Sequence, residues 1–439
     1  MLKLFKFRFR TLPIYSFTNF LLLYCTFVIT AFAQNQPAAP QSQDLAISRG
    51  RIHVGNGSVI ESGLILVSKG KITYCGADLS KNSSESIQID ASGMDIYPGL
   101  IACNTSVGLN EIEQVKATRD ASELGMMNAN VRSIIAYNTD SKIQATLRSN
   151  GVLIAEVVPE GGRISGQSSV VQLDAWNWED AVIRQDNAIH LRWPNISRKL
   201  TTGENPPTPK QDPYKVQRDE LDDFFNAAKA YSQEVTHNEI NLRYEAMSGL
   251  WNSSKKLFVH VSEAQAMQDA VVWAANHGIT PILVGAEDAY LLLDLLKAFH
   301  ISIVLTGTHK MPMREDEDID LAFKMPKILN DAGIPFCLSV PGFWQVRNLA
   351  FQAGQSIAFG LTHEEALRMV SFNAAQILGI ADQVGTLEQG KDATLFISQG
   401  DALDIRTQNV KYAFIQGRNL DLFDHQKKLY QIYKEKYKQ

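Results

Sequence analysis

Three stretches carry side chains able to act on a ligand. The first is Phe258-Val259-His260-Val261-Ser262-Glu263, where a histidine closes an apolar run and polar residues follow. An imidazole so placed serves as a base or a metal ligand, or sits as a satisfied histidine. The second is Thr306-Gly307-Thr308-His309-Lys310, continuing through Arg314, Glu315 and Asp316 to Asp318. Carboxylates beside a histidine can capture a cation or position a polar substrate. The same run also reads as a solvated charge surface. The third is Pro159-Glu160-Gly161-Gly162-Arg163-Ile164-Ser165-Gly166. Its glycines let backbone N–H groups close on an anionic group, with Arg163 to pair with it and Ser165 beside it; a tight turn is the plainer reading. The Lys-Ser/Thr ending of a phosphate loop is absent, and so is a Gly-x-Ser-x-Gly nucleophile elbow.

The elements that position these stretches follow from hydrophobic period. Eight apolar runs rich in β-branched residues span 97–102, 152–158, 169–173, 188–193, 257–261, 281–284, 301–305 and 335–340. Between several of them the period becomes helical. From 264 to 277 the apolar positions are Ala266, Met267, Ala270, Val271, Trp273 and Ala274, and 289–299 behaves alike. Residues 213–250 read as helix with a charged, solvated face. Thr362-His363-Glu364-Glu365 has the form of a capping box. Strand–helix alternation of this kind predicts an α/β fold with a parallel sheet, and eight units predict a (β/α)8 TIM barrel. Short alternating strands before residue 96 and after 384 predict a second, half-solvated sheet. Leu429, Ile432, Tyr433 and Tyr437 lie at helical spacing near the end and predict a helix packed on the barrel.

A family resemblance sharpens this reading. Tyr97-Pro98-Gly99-Leu100-Ile101-Ala102-Cys103-Asn104-Thr105-Ser106 resembles the first barrel strand of the amidohydrolase superfamily, where Pro-Gly-Leu-Ile-Asp precedes His-x-His. Gly385-Thr386-Leu387-Glu388-Gln389-Gly390-Lys391-Asp392-Ala393-Thr394-Leu395 resembles the family's Gly-x-Leu-x-x-Gly-x-x-Ala-Asp-Leu segment. Gly161-Gly162-Arg163-Ile164-Ser165-Gly166, Asn138-Thr139-Asp140-Ser141 and Arg148-Ser149-Asn150-Gly151 are similar to a secreted, imidazolonepropionase-like bacterial branch. The resemblance implies a composite β-sandwich from 44–96 plus 384–420, a barrel over 97–383 and a C-terminal helix over 421–439. It also implies zinc or another divalent metal, which lowers the pKa of bound water for attack on an amide or ester carbon.

Residue by residue, most implied ligands are missing. Asn104 and Ser106 stand at the strand-one histidines, Gly285 at the strand-six histidine, and Leu338-Ser339-Val340-Pro341-Gly342 ends strand eight without a carboxylate. His260 is the only matching ligand position, and one histidine cannot hold a catalytic zinc. The catalytic candidates are therefore His260, from the resemblance, and His309, from the polar loop after the seventh run, with no confident metal ligand set. Asn104, Ser106, Arg163, Ser165, Arg314, Glu315 and Asp316 are the candidates for binding substrate.

Composition narrows the partners. Lys3, Lys6, Arg8 and Arg10, an apolar stretch over 20–30 and Ala31-Phe32-Ala33 read as an export signal over 1–33, followed by a linker over 34–43. Removing four basic and no acidic residues leaves 38 basic against 47 acidic, a net charge of −9. That disfavours nucleic acid or an anionic membrane surface and leaves a small molecule as the expected partner. Cys75, Cys103 and Cys337 remain, scattered and without metal spacing, as small core residues. The expectation is a periplasmic or extracellular hydrolase acting on C–N bonds. Its alternative is an inactive homologue that binds a ligand or partners an active paralogue; a homo-oligomer is also compatible.

Overall fold

The computed structural model describes residues 36–82, 84–196, 212–312 and 314–438. The export segment and the first two linker residues lie outside them. The chain begins with β1 (Leu45–His53), β2 (Val59–Ser68), β3 (Lys71–Gly76), β4 (Ile87–Asp90) and β5 (Asp95–Pro98). It then enters the barrel through β6 (Leu100–Thr105), β7 (Val152–Val157), β8 (Ile164–Gln172) and β9 (Val182–Arg192). The barrel continues with β10 (Lys256–Val261), β11 (Pro281–Gly285), β12 (Ser302–Thr306) and β13 (Phe336–Ser339). The return segment supplies β14 (Leu395–Ser398), β15 (Val410–Ile415) and β16 (Arg418–Asn419).

The first and last segments of the chain meet in one eight-stranded sheet, ordered β16-β15-β14-β5-β1-β2-β3 with β4 also paired to β1. The joint is β5 against β14, antiparallel, with Tyr97 opposite Phe396 and Ile96 opposite Ile397. Ile47, Ile65, Ile96, Leu395, Ile397 and Phe414 are buried in its core. Arg49, at φ 67°, marks a bulge where β1 exchanges β4 for β5 as its neighbour.

The second sheet is the barrel, ordered β6 to β13 in sequence. Five of its ladders are parallel, as expected, but β8 runs antiparallel to both β7 and β9. The expectation of an all-parallel sheet is thereby corrected. Only residues 158–163 separate β7 from β8, and a parallel crossover needs a dozen residues or more. The chain must turn straight back, and Gly161 (φ 82°) and Gly162 (φ 65°) make that turn. The barrel's first and last strands meet through side chains: Ser339 Oγ donates to the Cys103 carbonyl at 2.6 Å, and the Cys337 and Cys103 sulfurs are 3.6 Å apart.

Helices cover the outside. The helix Pro213–Gln233 starts at an Asp212 cap with proline in its first turn and buries Leu221, Phe225, Ala228 and Tyr231, one face of a 3.6-residue period. Helix is interrupted between Gln233 and Leu242, so 213–250 is two helices rather than one. Thr362 and Glu365 form the expected capping box. The helix His425–Tyr437 departs from expectation. Its start is tied to the helix Lys142–Arg148 through Ser149 Oγ on Asp424 and Thr146 Oγ1 on Gln426, but none of its residues is buried. Leu429, Ile432, Tyr433 and Tyr437 stay exposed because the helix is anchored at its first turn alone and leaves the barrel surface.

Candidate functional site at the barrel mouth

Side chains alternate along a strand, so every second residue of a barrel strand points inward. Ile101, Ile154, Ala188, Phe258, Ile282 and Val304 form one apolar interior cluster. Two residues further toward the C-terminal ends, the same parity places Cys103, Glu156, His190, His260, Val284 and Thr306, and Ser339 follows Cys337 in the same way. On strands β7, β9, β10, β12 and β13 the interior thus turns from apolar to polar in one layer, at the end where barrel sites lie, while Cys103 and Val284 stay apolar.

Glu156 and His190 are wholly buried in that layer. The Glu156 carboxylate accepts from Ser168 Oγ at 2.9 Å and from the Asn104 backbone N–H at 3.0 Å. Asn104 reaches it by adopting φ 49°, at a register shift in the β6–β7 ladder. Asparagine enters this left-handed region at lower cost than most residues. His190 Nε2 lies 3.5 Å from Glu156 Oε1, and His190 Nδ1 lies 3.1 Å from His260 Nε2. His190 also stacks on Phe258, with ring centroids 4.9 Å apart. Burial holds the His260 imidazole well below its ordinary value, and its neighbours His190 and Arg192 add to the effect.

His260 opens into a cavity of about 320 Å³ with Trp193, Asn195, Ser262, Glu287 and Thr306 among its lining residues. A smaller pocket shares Gly285, Glu287 and Thr306 and adds Lys310. Lys310 Nζ is 2.8 Å from Glu287 Oε1 and 2.7 Å from Thr306 Oγ1. Burial pushes the Glu287 carboxyl up, but the Lys310 ammonium outweighs it and holds the group below its usual range. Gly285, at φ 96°, lets this wall close: a Cβ there would stand 3.0 Å from Ser262 Oγ and 3.2 Å from Glu287 Oε2. A larger cavity, about 460 Å³, lies at the opposite end of the barrel beside Lys256, Phe336 and Arg368. The mouth cavity is the one that contains the histidine.

The nominated residues fall into three groups. His260 is in the mouth cavity, and Asn104 serves the Glu156 carboxylate through its backbone. Ser106 is buried at the end of the same strand, with its hydroxyl unpartnered. Arg163 and Ser165 belong to the β7–β8 hairpin. The Arg163 N–H donates to the Met126 carbonyl at 2.8 Å, and Ser165 Oγ contacts the His190 carbonyl at 3.4 Å. Arg314 pairs with Asp288 at 2.7 Å, and Asp288 in turn accepts the Ala264 N–H at the start of a helix. Glu315 and Asp316 are exposed. His309 is exposed and sits edge-on to Phe323, 6.4 Å between centroids. From that loop Lys310, Met311 and Glu317 line the smaller pocket beside the mouth cavity.

Sequence reading passed over Glu156, His190, Glu287 and Lys310. Two of them carried a signal. An acid inside the run 152–158 and a histidine inside 188–193 are polar groups in fully buried strands, a placement that requires partners. Each also stands two residues after an inward apolar side chain, as His260 does.

Among the described residues, His, Cys, Asp and Glu ligand atoms come within 4.8 Å of one another in groups of three only at His53, His363 and Glu364. That group is not at the mouth.

A family model described as the amidohydrolase family matches residues 213–420. An imidazolonepropionase of Rhizobium rhizogenes is 23% identical over 385 residues, covering 78% of this chain and 88% of that protein. An imidazolonepropionase of Mesorhizobium japonicum is 25% identical over 371 residues, covering 77% and 87%. The crystal structure of an amidohydrolase from Thermotoga maritima superposes with a TM-score of 0.75 at 20% identity, covering 86% of this chain and 99% of that one. The last likeness concerns the fold.

Proposed function

The chain belongs to the amidohydrolase superfamily, and from that premise we propose an exported hydrolase that opens the C–N bond of a small, cyclic or open amide at the barrel mouth. The observation that carries this reading is the line Glu156–His190–His260, buried at one end and open to the cavity at the other. With Glu156 ionised, His190 keeps its proton on Nε2, toward the carboxylate. Its Nδ1 then accepts from His260 Nε2–H, and His260 Nδ1 is left with a free lone pair. His260, held neutral, takes a proton from water while the oxygen attacks the amide carbon. Lys310 supplies positive charge near the developing oxyanion. Collapse of the tetrahedral intermediate returns the proton to the leaving nitrogen, giving acid and amine. The imidazolonepropionase relatives make a cyclic amide the first substrate class to try.

The family's divalent metal does not fit this mouth. Strand one ends in Asn104 and Ser106, strand six in Gly285 and strand eight in Ser339. The two remaining imidazoles are bonded to each other rather than turned to a common point. A catalytic zinc takes about three protein ligands and a water, so no step is assigned to a metal here. The same donor set favours a second reading, a ligand-binding homologue or the partner subunit of an active paralogue.

Turnover decides between them. Chelator-treated enzyme is assayed against imidazolone-type rings, lactams, linear amides and dipeptides. We expect hydrolysis that falls at least about 100-fold in His260→Ala. No turnover on any of these, with or without added zinc or manganese, supports the binding reading instead. Export is checked by sequencing the mature N-terminus, expected to begin at Gln34.

A further inference from the structure

At the other end of the barrel, His53 closes β1, and His363 and Glu364 open the helix His363–Met369. Glu364 Oε1 is 2.6 Å from His53 Nδ1 and 3.1 Å from His363 Nδ1. Both imidazoles therefore turn the same nitrogen to one carboxylate oxygen. Both also turn the other nitrogen to a second carboxylate: His363 Nε2 is 2.9 Å from Asp401 Oδ1, and His53 Nε2 is 3.5 Å from Asp95 Oδ1. Those outer carboxylates are themselves held. Asp95 accepts from Arg51 Nε at 2.5 Å, and Asp401 accepts from the Leu403 N–H at 2.9 Å and from the Tyr97 hydroxyl at 3.4 Å. Tyr97 lies flat against His53, 4.5 Å between centroids and 4° between planes.

This is the arrangement that metal-bound histidines adopt, one ring nitrogen toward the ion and the other N–H on a carboxylate that fixes tautomer and orientation. Two further facts point the same way. Glu364 Oε2 is buried and has no partner, so a further donor is available to an ion. Asp95, Glu364 and Asp401 against Arg51 leave −3 + 1 = −2, which either protons on the two imidazoles or a divalent cation in their place cancels.

We propose that His53 Nδ1, His363 Nδ1 and the Glu364 carboxylate bind a divalent cation, zinc by the chemistry of the donors. The ion would join the first strand of the outer sheet to the helix that follows the barrel. Only Pro98 and Gly99 separate Tyr97, on β5, from the first barrel strand, which begins at Leu100, so the site lies at the N-terminal ends of the strands, where residues serve stability rather than turnover. His53 and Glu364 are 6% and 16% exposed, and His363, at 28%, is the side open to exchange.

The test uses the full chain stripped with chelator and titrated with Co2+, followed by visible absorption and by zinc competition. One equivalent is expected, with the intense spectrum of a low-coordinate N/O site. His363→Ala and Glu364→Gln should each weaken binding at least 100-fold, and Asp401→Asn about 10- to 100-fold. His260→Ala, at the mouth, should bind as the wild type does. Should a ligand variant fail to fold, the wild-type unfolding midpoint is measured with and without one equivalent of zinc, and a saturable rise is expected. No cobalt spectrum and no zinc-dependent rise would overturn the proposal. So would binding that survives His363→Ala and Glu364→Gln but disappears in His260→Ala.

Discussion

Glu156 shows how much one side chain carries. Its two oxygens receive a hydroxyl and a backbone N–H, and a histidine faces one of them. Ser168 can rotate to accept, but the Asn104 N–H cannot. Glu156→Gln therefore forces the amide oxygen onto Asn104 and turns its NH2 toward Ser168, and His190 loses its anionic partner. The expected stability loss is about 1–3 kcal/mol, read by urea unfolding. Any hydrolysis should fall far more than stability does, because the His190 tautomer is no longer fixed. His260 gives a prediction about pH. Its folded pKa lies below the unfolded value of about 6.5. Below that value the unfolded chain binds the extra proton, so this group leaves stability untouched above about pH 6.5 and erodes it as pH falls. The slope is at most about 1.4 kcal/mol per pH unit, reduced by the face open to the cavity. Unfolding curves at pH 7.5 and 5.5 should differ less in His260→Asn than in the wild type.

At the scale of elements, the hairpin between β7 and β8 is the departure that matters. Reversing β8 brings Ser168 beside Glu156, and it lets the Arg163 carbonyl accept the Arg192 N–H at 2.7 Å. The glycine-rich stretch, read as either an anion loop or a tight turn, acts as the turn that makes this possible. Its sequence held the clue: the ten residues between the apolar runs 152–158 and 169–173 are too few for a crossover. Periodicity alone could not show it, because a buried strand reads the same in either direction. Gly166 is the most constrained glycine of this hairpin. At φ 135°, a Cβ would stand 2.5 Å from the Val131 carbonyl oxygen and 3.1 Å from Pro159. Gly166→Ala should destabilise the chain by about 2 kcal/mol or more, through backbone strain and overpacking together. Gly333 has nothing within 4 Å of such a Cβ. Gly333→Ala, with φ 68° as its only burden, should cost about half as much in the same urea series.

For the molecule as a whole, strand positions were legible because apolar period is a property of each segment by itself. Residues 257–261 and 281–284 coincide with β10 and β11 almost to the residue. The Glu156–His190–His260 line was not legible, because it depends on register across β7, β9 and β10, which no single segment encodes. The same holds for the contacts that join the outer sheet to the barrel. Arg418, on β16, places Nη1 2.8 Å from Asp174 Oδ2, and Nη2 2.6 Å from Gln172 Oε1 and 2.8 Å from the Asp174 carbonyl. Asp174 is 4% exposed, and its other cation, Arg148, is 3.4 Å away. Removing one partner of a buried pair leaves the other charge uncompensated, whereas neutralising both restores much of the loss. Arg418→Met should therefore lower unfolding free energy by about 3 kcal/mol, less what Arg148 recovers. Adding Asp174→Asn should return part of that loss, limited by Arg148, which then lacks its carboxylate; the interaction is seen as non-additivity in a double-mutant cycle. Strict additivity would mean that Arg418 and Asp174 do not act as a pair in joining the outer sheet to the barrel. A fall in the urea slope of Arg418→Met would show the sheet and barrel separating before either unfolds.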